Sequence, residues 1–201
     1  MVRRIAACLV LIVSLASMSN AALLAQSNTE VSDEEYAVYD AAIAKIFTGR
    51  AVNELRIISP TVYLPESLSQ MGPVVVLREE ENIKSWSSLF KNIKRQTIGG
   101  YEANSKQKAA LKRSFKQGFG YVIWEVSAPL MPGEIPRTEK HLRDGDWYIQ
   151  LSRVGFDREH EQALVYLSYS QGGHVAAGFW LLVAKTGNQW TVDQVNRVWV
   201  S

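Results

Sequence analysis

Residues 147–200, WYIQLSRVGFDREHEQALVYLSYSQGGHVAAGFWLLVAKTGNQWTVDQVNRVWV, decide the fold of this chain. Apolar segments rich in β-branched and aromatic residues alternate here with turn residues, which is typical of short strands rather than helices. Four strands are predicted, near residues 147–154, 163–169, 175–184 and 190–199. Strands that follow one another through short turns pair in antiparallel order, so the pattern predicts an antiparallel β-meander.

Two of these strands are apolar on both faces. Residues 163–167 read ALVYL and residues 179–183 read FWLLV, whereas a strand with one face in water alternates apolar and polar side chains. We therefore expect both strands at the centre of the sheet, covered on both faces, or covered on one face and lining a cavity with the other. Gly178, which precedes the second apolar run, predicts a bulge or a bend.

The clearest helix signal lies near the start of the chain. Ser32, followed three residues later by Glu35, has the spacing of a capping box. Gly49 suits the left-handed residue that ends a helix. Between them, apolar residues recur at three- and four-residue steps and form one stripe: Tyr36, Tyr39, Ile43, Ile46 and Phe47. These signals predict a helix over residues 33–48 that covers the sheet.

The middle of the chain carries weaker signals. Pro60 is predicted to end a strand or to place it at a sheet edge, and Gly99-Gly100 is predicted to separate two helices. Strands are predicted at residues 55–59, 74–77 and 121–126, and helices at residues 84–95 and 104–116. The predicted fold class is therefore α+β, with an N-terminal amphipathic helix packed on a curved antiparallel β-meander and two short helices inserted.

The first residues predict export. Arg3 and Arg4 precede an apolar run of 14 residues, and small residues follow that fit cleavage after Ala21 or Ala25. The run is shorter than the roughly 20 apolar residues of a spanning helix, so no membrane span is expected after cleavage. We predict a signal peptide at residues 1–25, a single globular α+β domain at residues 26–201, and a periplasmic or secreted location.

Composition narrows the function classes. The chain has 22 Lys and Arg against 20 Asp and Glu, and removal of Arg3 and Arg4 leaves a net charge of zero, whereas nucleic-acid binders carry a basic excess. The only cysteine is Cys8, which precedes most of the apolar run and is therefore poorly placed for lipid attachment. The remaining chain has no cysteine for a zinc site, a disulfide or a nucleophile, and no P-loop, GxGxxG or GxSxG motif predicts a cofactor or a serine nucleophile.

Two blocks of sequence resemble a family of exported bacterial proteins to which no activity is assigned. The first block is residues 35–39, EYAVY; the second joins residues 151–156, LSRVGF, to residues 162–166, QALVY, and ends near Trp190. Related sequences carry cysteines beside the glycines near residue 173, where this chain has His174. The resemblance implies export and a shared fold, and the order of elements is similar to cone-shaped NTF2-like domains, which host binding and enzymatic roles alike.

The first functional hypothesis is non-catalytic binding of a small or apolar ligand, or of a protein partner, in the hollow of the sheet. Arg153 lies among apolar residues in the sequence. It is expected either to form a structural ion pair with an acid or to anchor an anionic ligand. His174 enters the third meander strand after two glycines. Tyr166 and Trp180 are candidate lining residues, although large aromatic residues in such strands are more often core.

The second hypothesis is a hydrolase that uses His174 with a carboxylate such as Asp144 or Asp146. A turn histidine and a turn before Trp147 explain the same residues equally simply. The stretch Glu159-His160-Glu161 is interpreted as a solvated turn, because adjacent side chains cannot easily converge on one metal ion.

The third hypothesis is an adaptor that docks an anionic envelope surface. Residues 84–116 contain nine Lys or Arg and a single acid, Glu102. Lys108, Lys112 and Lys116 would fall on one stripe of a helix. The alternative is a solvated helix that is balanced by acids elsewhere, such as those at residues 79–81 and 33–35.

Overall fold

A computed structural model of the protein describes residues 30–59, 61, 75–76, 86–112, 115–116, 118, 120–126, 145–171 and 175–200. The predicted α+β class is confirmed. The described residues form three helices: α1 (Asp33–Phe47), α2 (Trp86–Leu89) and α3 (Arg95–Asn104). They also form eight strands: β1 (Glu54–Ser59), β2 (Val75–Val76), β3 (Gly120–Glu125), β4 (Asp146–Leu151), β5 (Gly155–Phe156), β6 (Gln162–Gln171), β7 (Val175–Thr186) and β8 (Gln189–Val200).

The strands form one curved, unclosed sheet in the order β2-β8-β7-β6-β4-β1-β3, with β5 paired to β6. The pairs β4–β6, β6–β7 and β7–β8 are antiparallel, which confirms the predicted meander. The register between β7 and β8 shifts after Gly178, where a bulge or bend was predicted. A Cβ at this position would lie 2.0 Å from Trp199 Nε1, so only glycine fits beside that indole.

Strand β1 departs from the predicted arrangement. It lies between β3 and β4 and pairs in parallel with both, so it is not an edge strand. Of the two alternatives predicted for Pro60, the end of the strand is confirmed, because β1 ends at Ser59. Parallel neighbours need long connections, and the chain provides them between residues 59 and 120 and between residues 59 and 146.

Helix α1 covers one face of the sheet. The predicted capping box is confirmed, because Ser32 Oγ accepts from Glu35 N–H at 3.2 Å and Glu35 Oε2 accepts from Ser32 N–H at 3.0 Å. Gly49 adopts φ +75°, the left-handed conformation predicted for the end of the helix. The apolar stripe is buried against side chains from β1, β4, β6 and β7. At the C-terminal end of the helix, the Phe47 ring meets Trp147 and Tyr169 edge-on.

The segment that contains α2 and α3 covers part of the opposite face. Leu89, Phe90 and Tyr101 pack against side chains that point away from α1: Leu164, Tyr166, Trp180, Leu182, Val198 and Trp199. Strands β6 and β7 are therefore central and covered on both faces, which confirms the first of the two arrangements expected from their sequence.

The inserted helices differ from their predicted bounds. Within the helix predicted at residues 84–95, the structure shows a short helix, α2, at Trp86–Leu89. The next helix, α3, ends at Asn104, where the helix of residues 104–116 was predicted to begin. Gly99-Gly100 does not break a helix but lies inside α3, because Gly100 lets the helix backbone approach β5: a Cβ there would lie 2.4 Å from the Phe156 carbonyl oxygen. Among the described residues, no helix is both long enough and apolar enough to cross a membrane.

The two adjacent glycines of α3 give a matched test of this contact. A Cβ at Gly99 meets nothing within 4 Å. Gly99→Ala therefore acts only by lowering the backbone entropy of the unfolded chain, and it raises the free energy of unfolding by about 0.5–1 kcal/mol. Gly100→Ala forces α3 away from β5 and lowers it by about 1–3 kcal/mol. Urea denaturation of the two variants measures both, and equal effects would contradict the close packing.

Candidate functional site

Tyr166 and Trp180, which were predicted to line a ligand site, lie inside the second apolar layer. Trp180 Nε1 donates to the Tyr101 hydroxyl at 3.3 Å, and its ring meets Trp86 edge-on at 4.8 Å. The Tyr166 hydroxyl accepts from Trp199 Nε1 at 2.7 Å. Burial raises the pKa of Tyr166 and raises the pKa of Tyr101 to about 12, so both hydroxyls stay neutral. Each side chain already has protein partners in a filled core.

Arg153 is also buried, and the structural alternative explains it. Its guanidinium forms a forked pair with Glu35, Nε to Oε1 at 2.8 Å and Nη2 to Oε2 at 3.1 Å. Glu35 Oε1 also accepts from the Val154 N–H at 3.3 Å, and both charged side chains are only 4% exposed. Glu35 therefore satisfies the buried cation that the sequence left without a partner.

The predicted acid/base set is described only in part. His174 and Asp144 lie outside the described residues, so the hydrolase hypothesis keeps the standing of a prediction. Asp146 is described: it is the first residue of β4, and its Oδ2 lies 3.5 Å from Arg56 Nη2. That carboxylate pairs with an arginine that the sequence analysis did not single out.

The prediction that Lys108, Lys112 and Lys116 lie on one stripe of a helix is wrong. Helix α3 ends at Asn104, before these residues. Two backbone N–H groups of the segment instead donate to side chains of α1: Lys112 to the Tyr36 hydroxyl at 3.0 Å and Lys116 to Asp40 Oδ1 at 2.9 Å. Exposed and buried residues alternate from 108 to 112, and the four-residue spacing keeps Lys108 and Lys112 on one side of an extended chain as well as of a helix.

The basic segment also lies beside acids. Lys112 and Ala110 line a groove of about 540 Å³ together with Glu30 and Asp33 at the start of α1. This neighbourhood agrees with the balanced alternative of the sequence analysis rather than with a purely basic face.

A strip of polar side chains crosses the sheet on the face that points away from α1. We call it the polar strip, and its members are Arg56, Asp146, Tyr148, Gln150, Ser168 and Ser170. They come from three neighbouring strands and stand side by side, because Arg56 is opposite Tyr148, Tyr148 opposite Ser170, and Gln150 opposite Ser168 in the register of β1, β4 and β6. The alternate residues of the same strands are apolar and face α1.

The polar strip is buried. Tyr148, Gln150, Ser168 and Ser170 are each at most 2% exposed. Ser168 Oγ donates to Gln150 Oε1 at 2.9 Å. Ser170 Oγ has no hydrogen-bond partner within the described residues, and it is the single buried side-chain N or O atom there of which this is true. A buried hydroxyl without a partner is uncommon and calls for an explanation, such as a bound molecule.

Arg56 supplies the positive charge of the polar strip, and its charge is balanced. Its Nε lies 3.2 Å from Glu54 Oε1, and its Nη2 faces Asp146. The guanidinium also lies over the rings of Trp124 and Tyr148, 5.4 and 5.7 Å from their centroids, and these two rings contact each other edge-on. The ion pairs and the cation–π contacts hold the guanidinium in one orientation.

Sequence reasoning missed the polar strip, although one signal for it exists. Gln150 and Asp146 alternate with apolar residues in β4, as do Ser168 and Ser170 in β6. Each strand alone resembles a strand with one polar face. Only the register, which places both sets opposite each other, shows that they form one surface.

A second cluster surrounds His160, in the turn between β5 and β6. The turn predicted here is confirmed, with the His160 N–H donating to the Asp157 carbonyl at 3.2 Å. The imidazole Nδ1 lies 2.6 Å from Glu34 Oε2, and the ring stacks on Phe156 at 4.9 Å and 12°. Burial raises the pKa of Glu34, but hydrogen bonds from Lys185 and His160 outweigh it and lower the pKa overall.

Asp157 anchors the same turn. Its side chain is fully buried, Oδ1 accepts from the N–H groups of Glu161 and Gln162 at 2.8 and 2.9 Å, and Oδ2 accepts from Lys94 Nζ. Burial raises the pKa of this carboxyl, but the bond from Lys94 and the two backbone bonds outweigh it, so the pKa is lowered overall. An ordered turn results, held to the segment before α3.

Loss of Glu35 is predicted to be severely destabilising. Glu35→Ala leaves Arg153 charged, buried and unpaired, so the free energy of unfolding should fall by about 3–5 kcal/mol. The neighbouring Glu34→Ala removes half-exposed ion pairs and should cost no more than about 1 kcal/mol. Denaturant unfolding measures both. Equal losses, or a Glu35→Leu/Arg153→Met double variant less stable than Glu35→Ala, would contradict this role.

Asp157 is predicted to make stability depend on pH. Its folded-state pKa lies below the unfolded value of about 3.9, so the stability that it contributes is complete above the unfolded value and is lost as the pH falls through the folded one. Asp157→Asn should therefore flatten the decline in unfolding free energy below about pH 4. Urea titrations across this range measure the slope, and identical slopes in the two proteins would contradict the assignment.

Comparisons with known proteins leave the function to the geometry. No family model, no curated protein and no solved structure matches this chain. The family resemblance drawn from residues 35–39 and 151–166 therefore stays a prediction. The functional conclusions below are drawn from the polar strip and from the cluster around His160.

Proposed function

We propose that the protein is an exported, non-catalytic binding domain, and that the polar strip holds a small ligand through hydrogen bonds. The observation that carries this proposal is Ser170 Oγ, a buried hydroxyl that lacks a partner among the described residues. It lies in a row of polar side chains on three adjacent strands, where a bound molecule could accept or donate the missing hydrogen bond.

The energetic argument concerns what these positions would otherwise contain. Burial of a hydroxyl or an amide without full hydrogen bonding costs about 1–3 kcal/mol in proteins. Gln150, Ser168 and Ser170 lie in strands whose opposite face carries only apolar side chains and packs well. An apolar residue in place of Ser170 would be cheaper for folding alone, and a local departure of this kind is typical of functional sites.

The same structure argues against an apolar ligand. The apolar side chains on one face are covered by α1, and those on the other by the segment with α2 and α3. Tyr166 and Trp180 belong to these packed layers. The polar strip is the part of the buried sheet whose chemistry suits a ligand, so the expected ligand is polar.

The charge of the polar strip narrows the ligand further. Arg56 is already paired with Asp146 and Glu54, so a second anion would compete with two fixed carboxylates. A neutral ligand with several hydroxyl or amide groups fits the serine hydroxyls and the Gln150 amide better. The export signal predicted at residues 1–25 places such binding outside the cytoplasm.

Two buried serines provide a matched test. Ser170→Ala removes a hydroxyl without a partner, so it should leave the free energy of unfolding unchanged or raise it by up to about 1 kcal/mol. Ser152→Ala removes a hydroxyl that donates to the Arg153 carbonyl and accepts from the Tyr166 N–H, so it should lower it by about 1–3 kcal/mol.

The same variants report on the ligand. Native mass spectrometry of the protein purified without denaturation should show a small non-covalent adduct, which Ser170→Ala or Gln150→Leu reduces and Ser152→Ala retains. No adduct in the unaltered protein, or an adduct that Ser170→Ala and Gln150→Leu leave at full occupancy, would contradict the proposal.

A further inference from the structure

A groove of about 460 Å³ lies between α3 and the turn that joins β5 to β6. Its volume falls within the range of small-molecule sites. The lining comes from α3 on one side and from the turn on the other: Gln96, Gly100, Asn104, Phe156, Asp157, Arg158 and His160. The groove is separate from the polar strip, which lies on other strands.

The groove contains a cation that has no partner in the part of the chain that the structure describes. Arg158 is exposed and forms no hydrogen bond or ion pair with the described residues. The Gln96 side chain likewise makes no hydrogen bond to the described residues. The Asn104 amide donates from Nδ2 to the Val154 carbonyl at 2.8 Å, and among the described residues it makes no other hydrogen bond. A guanidinium and two amides therefore offer unused hydrogen-bonding groups to the groove.

The one acid of the lining, Asp157, and two nearby acids, Glu161 and Glu34, already have partners. Asp157 is fully buried and accepts from Lys94 and two backbone N–H groups. Glu161 pairs with Lys94 at 3.3 Å. Glu34 is shared by Lys185 and His160. The charge that remains available to a ligand on this lining is therefore positive.

His160 is held in one orientation beside this cation. Glu34 binds Nδ1, and Phe156 supports the ring face, while Nε2 makes no hydrogen bond to the part of the chain that the structure describes. The backbone has φ +54°, a conformation that is uncommon outside glycine. A strained residue whose side chain is fixed at one nitrogen and unused at the other is typical of functional positions.

We propose that this groove binds the oxyanion group, carboxylate or phosphate, of a small dissolved molecule, through Arg158 and Nε2 of His160. The planar fork of Arg158 matches such a group, and Gln96 adds an amide donor at its edge. The lining therefore offers a guanidinium, a ring nitrogen and an amide to such a group.

The two ring nitrogens of His160 have different roles. Nδ1 is occupied by Glu34 Oε2 at 2.6 Å, which leaves Nε2 as the nitrogen that can meet a ligand.

The test is a titration of the purified protein with inorganic phosphate and with acetate, followed by the NMR signals of the His160 ring and the Arg158 side chain. Arg158→Gln and His160→Asn should each weaken binding by about tenfold. Asparagine tolerates the left-handed backbone, so His160→Asn keeps the turn. Lys108→Gln removes an equal charge from an exposed site outside the groove and should leave affinity unchanged.

Every outcome bears on the proposal. Saturable shifts by either anion, with an affinity that each variant lowers about tenfold, would support it. No saturable shift up to about 50 mM of either anion, or binding that Arg158→Gln leaves intact, would overturn it. A parallel arm separates the two sources of such a group: a dissolved molecule predicts no cosedimentation with phosphatidylglycerol vesicles, whereas cosedimentation that Arg158→Gln abolishes would assign the oxyanion to a lipid headgroup.

Discussion

The carboxylate of Glu35 is the interaction on which the rest of this structure depends. It accepts from the Ser32 N–H and so caps α1, and it pairs with the buried guanidinium of Arg153 in the link between β4 and β5. One helical turn later, the Tyr39 hydroxyl donates to the Ser152 carbonyl at 2.9 Å in the same link. A single side chain therefore starts the helix and fixes its position on the sheet. A buried ion pair adds little net stability, but it allows few alternative registers.

With α1 fixed on one face, the remaining architecture follows from close packing on the other. Gly100 and Gly155 let α3 approach β5 at backbone distance, and the segment before α3 brings aromatic side chains over β6, β7 and β8. The two layers cover the apolar side chains of the central strands. What stays polar within the buried sheet is the strip that includes Gln150, Ser168 and Ser170, and the proposed binding function rests on that contrast.

The sequence predicts those parts of the fold whose signals are local. The capping box at Ser32 and the apolar runs of β6 and β7 are each complete within a few residues, and their predictions are confirmed. The parallel insertion of β1 depends on pairing with distant strands, which no local pattern encodes. The prediction of a basic helix was wrong because a four-residue spacing fits an extended chain as well as a helix. The polar strip escaped notice because its members come from strands that only the register brings together.

The central claim is that Ser170 and its neighbours on the polar strip face a bound molecule. The most direct measurement is a crystal structure of the protein purified without denaturation, at a resolution that shows ordered water. We expect non-protein electron density within hydrogen-bonding distance of Ser170 Oγ. Density for a side chain of the protein in that place, bonded to Ser170 Oγ, would contradict it and would make the polar strip a structural feature of the core.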